Sequence, residues 1–289
     1  MSKRLSTPVE LSATWSVAGK VVDLARPLIM GIVNVTPDSF SDGGRYLSAP
    51  AALAHAERMI EEGADLLDIG GESTRPGAVD VSEMEEMDRV LPLVEALRAG
   101  DVPISVDTSK PGVMRAALAA GAAVINDVRA FRTQGALEAV GGSDCGLVLM
   151  HMQGSPRTMQ SEPHYDDIVA DVTAFLRGRV ADLANAGIDL CRIAIDPGFG
   201  FGKSVEHNFT LLRRLPALQA IGRPVLVGLS RKSMLGAVTG RALDDRVAAS
   251  VAAAVLAVER GARIVRVHDV AATRDALKVW AATTGGQRP

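Results

Sequence analysis

The sequence predicts a (β/α)8 TIM barrel, an α/β fold, preceded by an N-terminal β-hairpin. Three observations carry that expectation. First, short aliphatic and β-branched runs recur at Leu28–Val35, Ala64–Ile69, Pro103–Asp107, Ala122–Asn126, Gly146–His151, Arg192–Asp196, Pro224–Leu229 and Ala262–Val267. They are nearly continuous in apolar character, as expected for parallel strands buried on both faces. Second, helical patterns lie between them, among them Ala51–Glu62, Ser82–Arg98, Pro111–Ala119, Asp166–Ala186 and Asp245–Arg260. Third, Gly63, Gly100, Gly121, Gly187 and Gly261 each follow a helical stretch, where a left-handed residue ends a helix. A doubly wound open sheet is the competing architecture, but it has no reason to stop at eight strands.

Ahead of the first barrel strand, Ala13–Leu24 reads as a hairpin turning at Ala18-Gly19-Lys20, placed to plug the bottom of the barrel. No linker or low-complexity segment divides the 289 residues, so residues 1–289 read as one domain. A chain 47% hydrophobic and 22% charged is neither disordered nor a disulfide miniprotein. Its 31 basic and 34 acidic residues give a net charge of −3 with no basic block, which argues against a nucleic-acid partner. Cys145 and Cys191 stand alone, as in a reducing compartment. Lys3 and Arg4 are not followed by an apolar stretch, and the longest apolar run, Val247–Val258, is too short to cross a bilayer. The expected location is cytoplasmic, without a membrane partner.

A barrel carries its function on the loops at the C-terminal ends of its strands. In this sequence every strand ends in polar groups: Asn34, Glu72 to Arg75, Asp107 to Lys110, Asn126-Asp127, His151, Asp196, Ser230 to Lys232, and Arg266 to Asp269. Asp107, Asn126 and Asp196 suit a planar heterocycle rich in N–H donors, because a carboxylate accepts from an amidine-like edge and an amide both gives and takes. Helix capping by Asp107 or Asn126, and a plain turn at Asp196-Pro197-Gly198, are the bland alternatives. Lys232, Arg266 and His268, with Arg75, supply opposite charge where phosphate groups dock. Arg266 and His268 are two apart on one strand and therefore face the same side. No H-x-H or H-E-x-x-H pattern marks a catalytic zinc. The Gly- and Pro-rich stretches Asn34–Gly44 and Gly70–Gly77 carry Phe40, Asp42 and Arg75, and read as lids.

The motifs NVTPDSFSDGG (Asn34–Gly44), GGESTRPGA (Gly70–Ala78), VDTSKP (Val106–Pro111), IND (Ile125–Asp127), LMHMQG (Leu149–Gly154), DPGFGFGK (Asp196–Lys203), GLSRKSMLG (Gly228–Gly236) and VRVHDV (Val265–Val270) together resemble the dihydropteroate synthase family. The resemblance runs from about Pro27 to Val270, residues 27–270, in the family's order.

It implies a transferase of folate biosynthesis that joins 6-hydroxymethyl-7,8-dihydropterin diphosphate to p-aminobenzoate, giving 7,8-dihydropteroate and diphosphate. It also makes the chain a candidate sulfonamide target. By the same resemblance Asp107, Asn126, Asp196 and Lys232 hold the pterin, and Arg266 stacks on it. Arg266 and His268 grip the diphosphate with Thr74 and Arg75, and Asn34 is the one protein ligand of Mg2+. Phe40, Pro76, Phe201, Lys232 and Ser233 frame the p-aminobenzoate slot, and Asp42, on the first loop, either accepts from the arylamine or covers the cation. Catalysis would then fall to Asp42, Arg75, Lys232, Arg266 and His268, and the family implies a homodimer. A methyltetrahydrofolate-dependent methyltransferase shares the Asp/Asn/Asp set but has no use for a diphosphate grip. A non-enzymatic pterin binder would hold pterin without turning over p-aminobenzoate.

Overall fold

Strand and helix alternate along the chain as the apolar runs predict, and the strands pair in parallel. A computed structural model describes residues 14–35, 49–73, 80–154, 159 and 163–284. The barrel strands are β3 (Leu28–Asn34), β4 (Leu66–Gly70), β5 (Ile104–Asp107), β6 (Val124–Asp127), β7 (Gly146–Met150), β8 (Ile193–Asp196), β9 (Leu226–Val227) and β10 (Ile264–Val267). They pair in the order β8-β7-β6-β5-β4-β3-β10-β9, and a parallel bridge between Ile195 and Val225 brings β8 against β9, nearly closing the barrel. Helices α1 (Ala49–Glu61), α2 (Glu83–Leu97), α3 (Pro111–Ala120), α4 (Ala136–Gly141), α5 (Ile168–Asn185), α6 (Val205–Arg213), α7 (Ser233–Thr239), α8 (Val247–Glu259) and α9 (Val270–Thr284) follow them.

The two-residue period of a strand sorts the side chains into an inner and an outer set. Leu28, Met30, Leu66, Val124, Val148, Ala194, Leu226 and Ile264 form one cluster. Their neighbours in sequence, such as Ile29, Leu67, Ile125, Leu147, Ile195 and Val265, belong to a second, larger cluster with the helices. The first cluster is the floor of the lumen. The hairpin of β1 (Thr14–Val17) and β2 (Lys20–Asp23) seals it from below, contributing Trp15 and Val17, with Leu24 just beyond. Ala18 and Gly19 both have positive φ, 48° and 71°, the left-handed pair that a two-residue hairpin needs. Trp15 is 1% exposed and its indole N–H donates to the Arg192 carbonyl at 2.8 Å, so the plug is tied to the start of β8.

Two local expectations fail. Gly63, Gly121, Gly187 and Gly261 take positive φ, but Gly100 does not. Helix α2 instead ends on a right-handed Arg98 whose N–H still reaches the Val94 carbonyl. The run Pro224–Leu229 yields only the two-residue β9, because Pro224 has no N–H for the ladder and the chain has left the ladder by Gly228. Among the described residues no helix is long and apolar enough to cross a membrane.

Candidate active site

Above the apolar floor the inward-facing positions become polar, strand by strand. On β4 the residue after inward Leu66 in the same parity is Asp68; on β5 the corresponding pair is Ser105 and Asp107. On β6 it is Asn126, on β8 Asp196, and on β10 Arg266. Asp68 is fully buried. It accepts from Ser105 Oγ at 2.6 Å, from Asn126 Nδ2 at 3.0 Å and from Arg266 Nε at 2.5 Å. Arg266 Nη2 donates to Asp107 Oδ2 at 3.0 Å. Two carboxylates thus hold one guanidinium by two different nitrogens, which fixes its plane. Exposure of the side chains rises from 0% at Asp68 to 15% at Asp107 and 19% at Arg266, so the chain of charges leads from the sealed floor to the mouth.

The opposite wall is the loop after β8. Asp196 Oδ1 accepts from Gly198 N at 2.7 Å, making the tight turn that the sequence allows, while its other oxygen has no partner among the described residues. Lys203, only 3% exposed, folds back under this loop and donates to the Gly198 and Phe201 carbonyls at 2.9 and 3.0 Å. Its Nζ also meets His151 Nδ1 at 2.9 Å. The loop so held sets Phe201 under Lys232, whose ammonium lies 4.2 Å from the ring centre. Lys232 precedes α7, which begins at the exposed Ser233. Across the mouth, His268 Nδ1 sits 2.9 Å from Ser230 Oγ, which also accepts from the His268 backbone N–H at 3.2 Å.

Of the residues singled out in the sequence, Asp107, Asn126, Asp196, Phe201, Lys232, Ser233, Arg266, His268 and Asn34 lie in or at the rim of this mouth. Phe40, Asp42, Thr74, Arg75 and Pro76 lie outside the described residues, as do most of the first expected lid and half of the second. Capping does not explain Asp107 or Asn126: α3 takes Lys110 as its cap residue with no side-chain bond, and Asn126 bonds Asp68. His268 is not part of a cationic cluster in the free protein. Burial, and then the neighbouring Arg266 and Arg231, push its pKa down to about 3 and leave the ring neutral. Glu72 and Lys110 are structural, since Lys110 bridges Glu72 and Glu86 while Glu72 Oε1 also accepts from Val81 N, tying the feet of the second loop together. His151 turns under the β8 loop to meet Lys203, and Asp127 points outward to accept from Arg129 and Phe131 N–H groups.

Sequence reasoning missed Asp68 and Lys203. The signal for Asp68 was a carboxylate inside the apolar run Ala64–Ile69, in the parity of the lumen. For Lys203 it was a lysine closing a loop of alternating glycines.

Burial raises Asp107 against the pull of Arg266, and raises Asp196 from 3.8 to about 6 against the Gly198 N–H and Lys232. Below about pH 6 Asp196 therefore carries a proton and cannot accept from two ring N–H groups at once. Asp196 is expected to contribute about a tenfold fall per pH unit below 6 to the affinity for a ligand that donates to it. Asp196→Asn should remove that part and leave the part due to Asp107, which burial raises to about 7. The same group makes wild-type stability, relative to that variant, fall as pH rises from 3.8 through about 6, because the folded state holds the proton longer. Titration calorimetry and thermal melts between pH 4.5 and 8 check both slopes.

Inward-facing carboxylates, an amide and a guanidinium held in a fixed plane at the mouth of a parallel barrel define a barrel enzyme for a planar polar heterocycle. Residues 30–268 match a family model described as pterin binding enzyme. The chain belongs to the dihydropteroate synthase family, transferases of folate biosynthesis. It is 54% identical over 265 residues to the dihydropteroate synthase of Haemophilus influenzae, covering 91% of this chain and 96% of that one. The Escherichia coli K12 enzyme is 49% identical over 266 residues, covering 92% and 94%. Among solved structures, the Burkholderia cenocepacia enzyme complexed with 7,8-dihydropteroate superposes with a TM-score of 0.87 at 56% identity, covering 95% of this chain and 98% of that one. The Xanthomonas albilineans enzyme with 4-aminobenzoic acid gives 0.88 at 57%, covering 94% and 98%.

Proposed function

We propose that this mouth holds both substrates of the family's condensation, 6-hydroxymethyl-7,8-dihydropterin diphosphate and p-aminobenzoate, and releases 7,8-dihydropteroate and diphosphate. The observation that carries the reading is that Asp107, Asn126, Asp196 and the pinned Arg266 occupy inward-facing positions near the strand ends of one barrel, a donor and acceptor set that suits one flat ring. The carboxylates and the amide pair with its N–H and acceptor edges, and the immobile guanidinium plane stacks on its face. As diphosphate leaves, positive charge develops on the pterin methylene and negative charge on the leaving oxygens. Asp107 and Asp196 lie where they lower the first, and Arg266 and His268 where they lower the second. When Ser230 Oγ–H donates to His268 Nδ1, the proton of the neutral ring sits on Nε2, free to donate to a phosphate oxygen. The arylamine needs placement rather than a strong base. Phe201, Lys232 and Ser233 supply a slot for it, the ammonium and the helix start facing its carboxylate. Phe40, Pro76, Asp42, Thr74 and Arg75 complete the site in this reading.

Asn34 ends β3 with its amide oxygen close to Gly70. No cluster of three or more His, Cys, Asp or Glu side chains able to hold a metal occurs among the described residues. One neutral protein oxygen fits Mg2+, which takes one or two protein ligands and fills its shell with phosphate and water. Bound there through Asn34, Mg2+ would neutralise diphosphate charge. A homodimer is supported by exposed Val238, Leu243 and Leu256 on and between α7 and α8, and a cytoplasmic site of action by the unpaired cysteines.

Incubation with the pterin diphosphate, Mg2+ and p-aminobenzoate is expected to yield 7,8-dihydropteroate, with the rate lost when Mg2+ is chelated. Tight pterin binding without product would turn the reading into that of a binding protein. His268→Ala is expected to slow diphosphate release about 10- to 100-fold even without p-aminobenzoate, the loss of one charge-assisted donor, and to leave the KM for p-aminobenzoate unchanged. Normal diphosphate release with a raised arylamine KM would move His268 to the other substrate.

A further inference from the structure

We infer that Asp68, beneath the mouth, is a positioning residue that fixes which edge of the Asn126 amide and which face of Arg266 the pterin meets. The inference rests on the reading of Asn126 and Arg266 as pterin ligands. A terminal amide can present either its oxygen or its nitrogen, and the two orientations reverse the hydrogen-bond pattern a ligand sees. An ionised carboxylate only accepts. With Asp68 Oδ2 at 3.0 Å, the nitrogen of Asn126 must face Asp68, and its oxygen takes the edge turned away. The same oxygen accepts from Arg266 Nε, while Asp107 holds Nη2, so the guanidinium cannot rotate about its long axis. Asp68 in turn is held by Ser105 Oγ on Oδ1 at 2.6 Å. Every oxygen of Asp68 is thus engaged, the side chain is sealed from solvent, and its partners come from three different strands. Such an arrangement orients groups that touch a ligand without touching it itself, as an outer carboxylate does for a metal-bound histidine.

The inference is about an acceptor, so the isosteric amide is the informative control. The amide introduced by Asp68→Asn could keep an oxygen toward Asn126 and Arg266 while its nitrogen donates to Ser105 Oγ. Asp68→Ala removes the acceptor. Asp68→Ala is expected to raise the KM for the pterin diphosphate about 10- to 100-fold, the worth of one charge-assisted hydrogen bond at the ligand, and to leave the KM for p-aminobenzoate within about twofold. Asp68→Asn should restore most of the loss. In an Asn126→Ala background the effect of Asp68→Ala should shrink well below its single-variant value, because part of its action passes through Asn126. Ser105→Ala, which buries no unpaired charge, should show the same split at smaller size and decides the matter if Asp68→Ala does not fold. An equal rise in both KM values, no rescue by Asp68→Asn, or effects that multiply with Asn126→Ala would overturn the inference. A normal pterin KM in Asn126→Ala alone would instead overturn the assignment of Asn126 to the pterin.

Discussion

Replacing Arg266 by methionine is expected to lower kcat/KM by more than about a thousandfold and to destabilise the free enzyme by about 3–5 kcal/mol, the usual cost of removing one partner from a buried ion pair. Arg266 is the cation facing both Asp68, which has no exposed surface, and Asp107. Without it, two buried carboxylates confront one another, and the stacking plane for the ring is gone. The stability deficit should narrow as pH falls from 8 to 5, since losing Arg266 raises the already elevated Asp107 further and the variant takes up that proton before the wild type does. Arg266→Lys should recover much of the stability but little of the pterin affinity, because an ammonium cannot hold two carboxylates at a fixed plane. Steady-state kinetics and melts at pH 5 and 8 read all of this. A wild-type pterin KM in Arg266→Met would remove Arg266 from the site.

The second large effect is expected in the loop after β8. Gly198 has φ +68°, and a Cβ built on it would lie 1.9 Å from the His151 carbonyl oxygen. No rotamer relieves a clash with backbone, so Gly198→Ala must displace the turn. That breaks the Gly198 N–H bond to Asp196, the Lys203 bond to the Gly198 carbonyl and the Phe201 N–H bond to that same carbonyl. With left-handed strain of about 1–2 kcal/mol and about 1 kcal/mol per lost bond, the loss should reach about 4–5 kcal/mol. Both substrates should bind poorly, because the turn places Asp196 for one and Phe201 for the other. Gly200→Ala is the control: it shares the left-handed strain, with φ +80°, but the atoms nearest its Cβ belong to the flexible Lys232 stem, at 3.0 Å and beyond. It should cost less stability and chiefly raise the p-aminobenzoate KM. Chemical denaturation and paired KM measurements separate the two.

Much of the molecule follows from local pattern. Apolar runs of strand length alternating with helical segments specify a barrel, since strands buried on both faces need a helix between each pair. The strand parity that turns Arg266 into the lumen, and the turn at Ala18-Gly19, are likewise short-range facts of the chain, whereas His268 lies just beyond the end of β10. So are the strand-end positions of Asp107, Asn126 and Asp196, from which a site for a flat polar ring could be read. The motifs carried the family and its reaction. Tertiary structure decided the roles that depend on which strands become neighbours and which oxygens are already taken. Asp68 lies 37 residues from Ser105, 58 from Asn126 and 198 from Arg266, and only the packing of four strands into one barrel brings them together. In the sequence a carboxylate inside an apolar run looks like an interruption. Lys203 has no readable partner in the sequence until the loop folds over it, and His268 reads as a cation until burial, Arg266 and Arg231 are seen to keep it neutral. Periodicity settles which face a side chain takes, whereas charge state and hydrogen-bond partners depend on what barrel closure packs against that face.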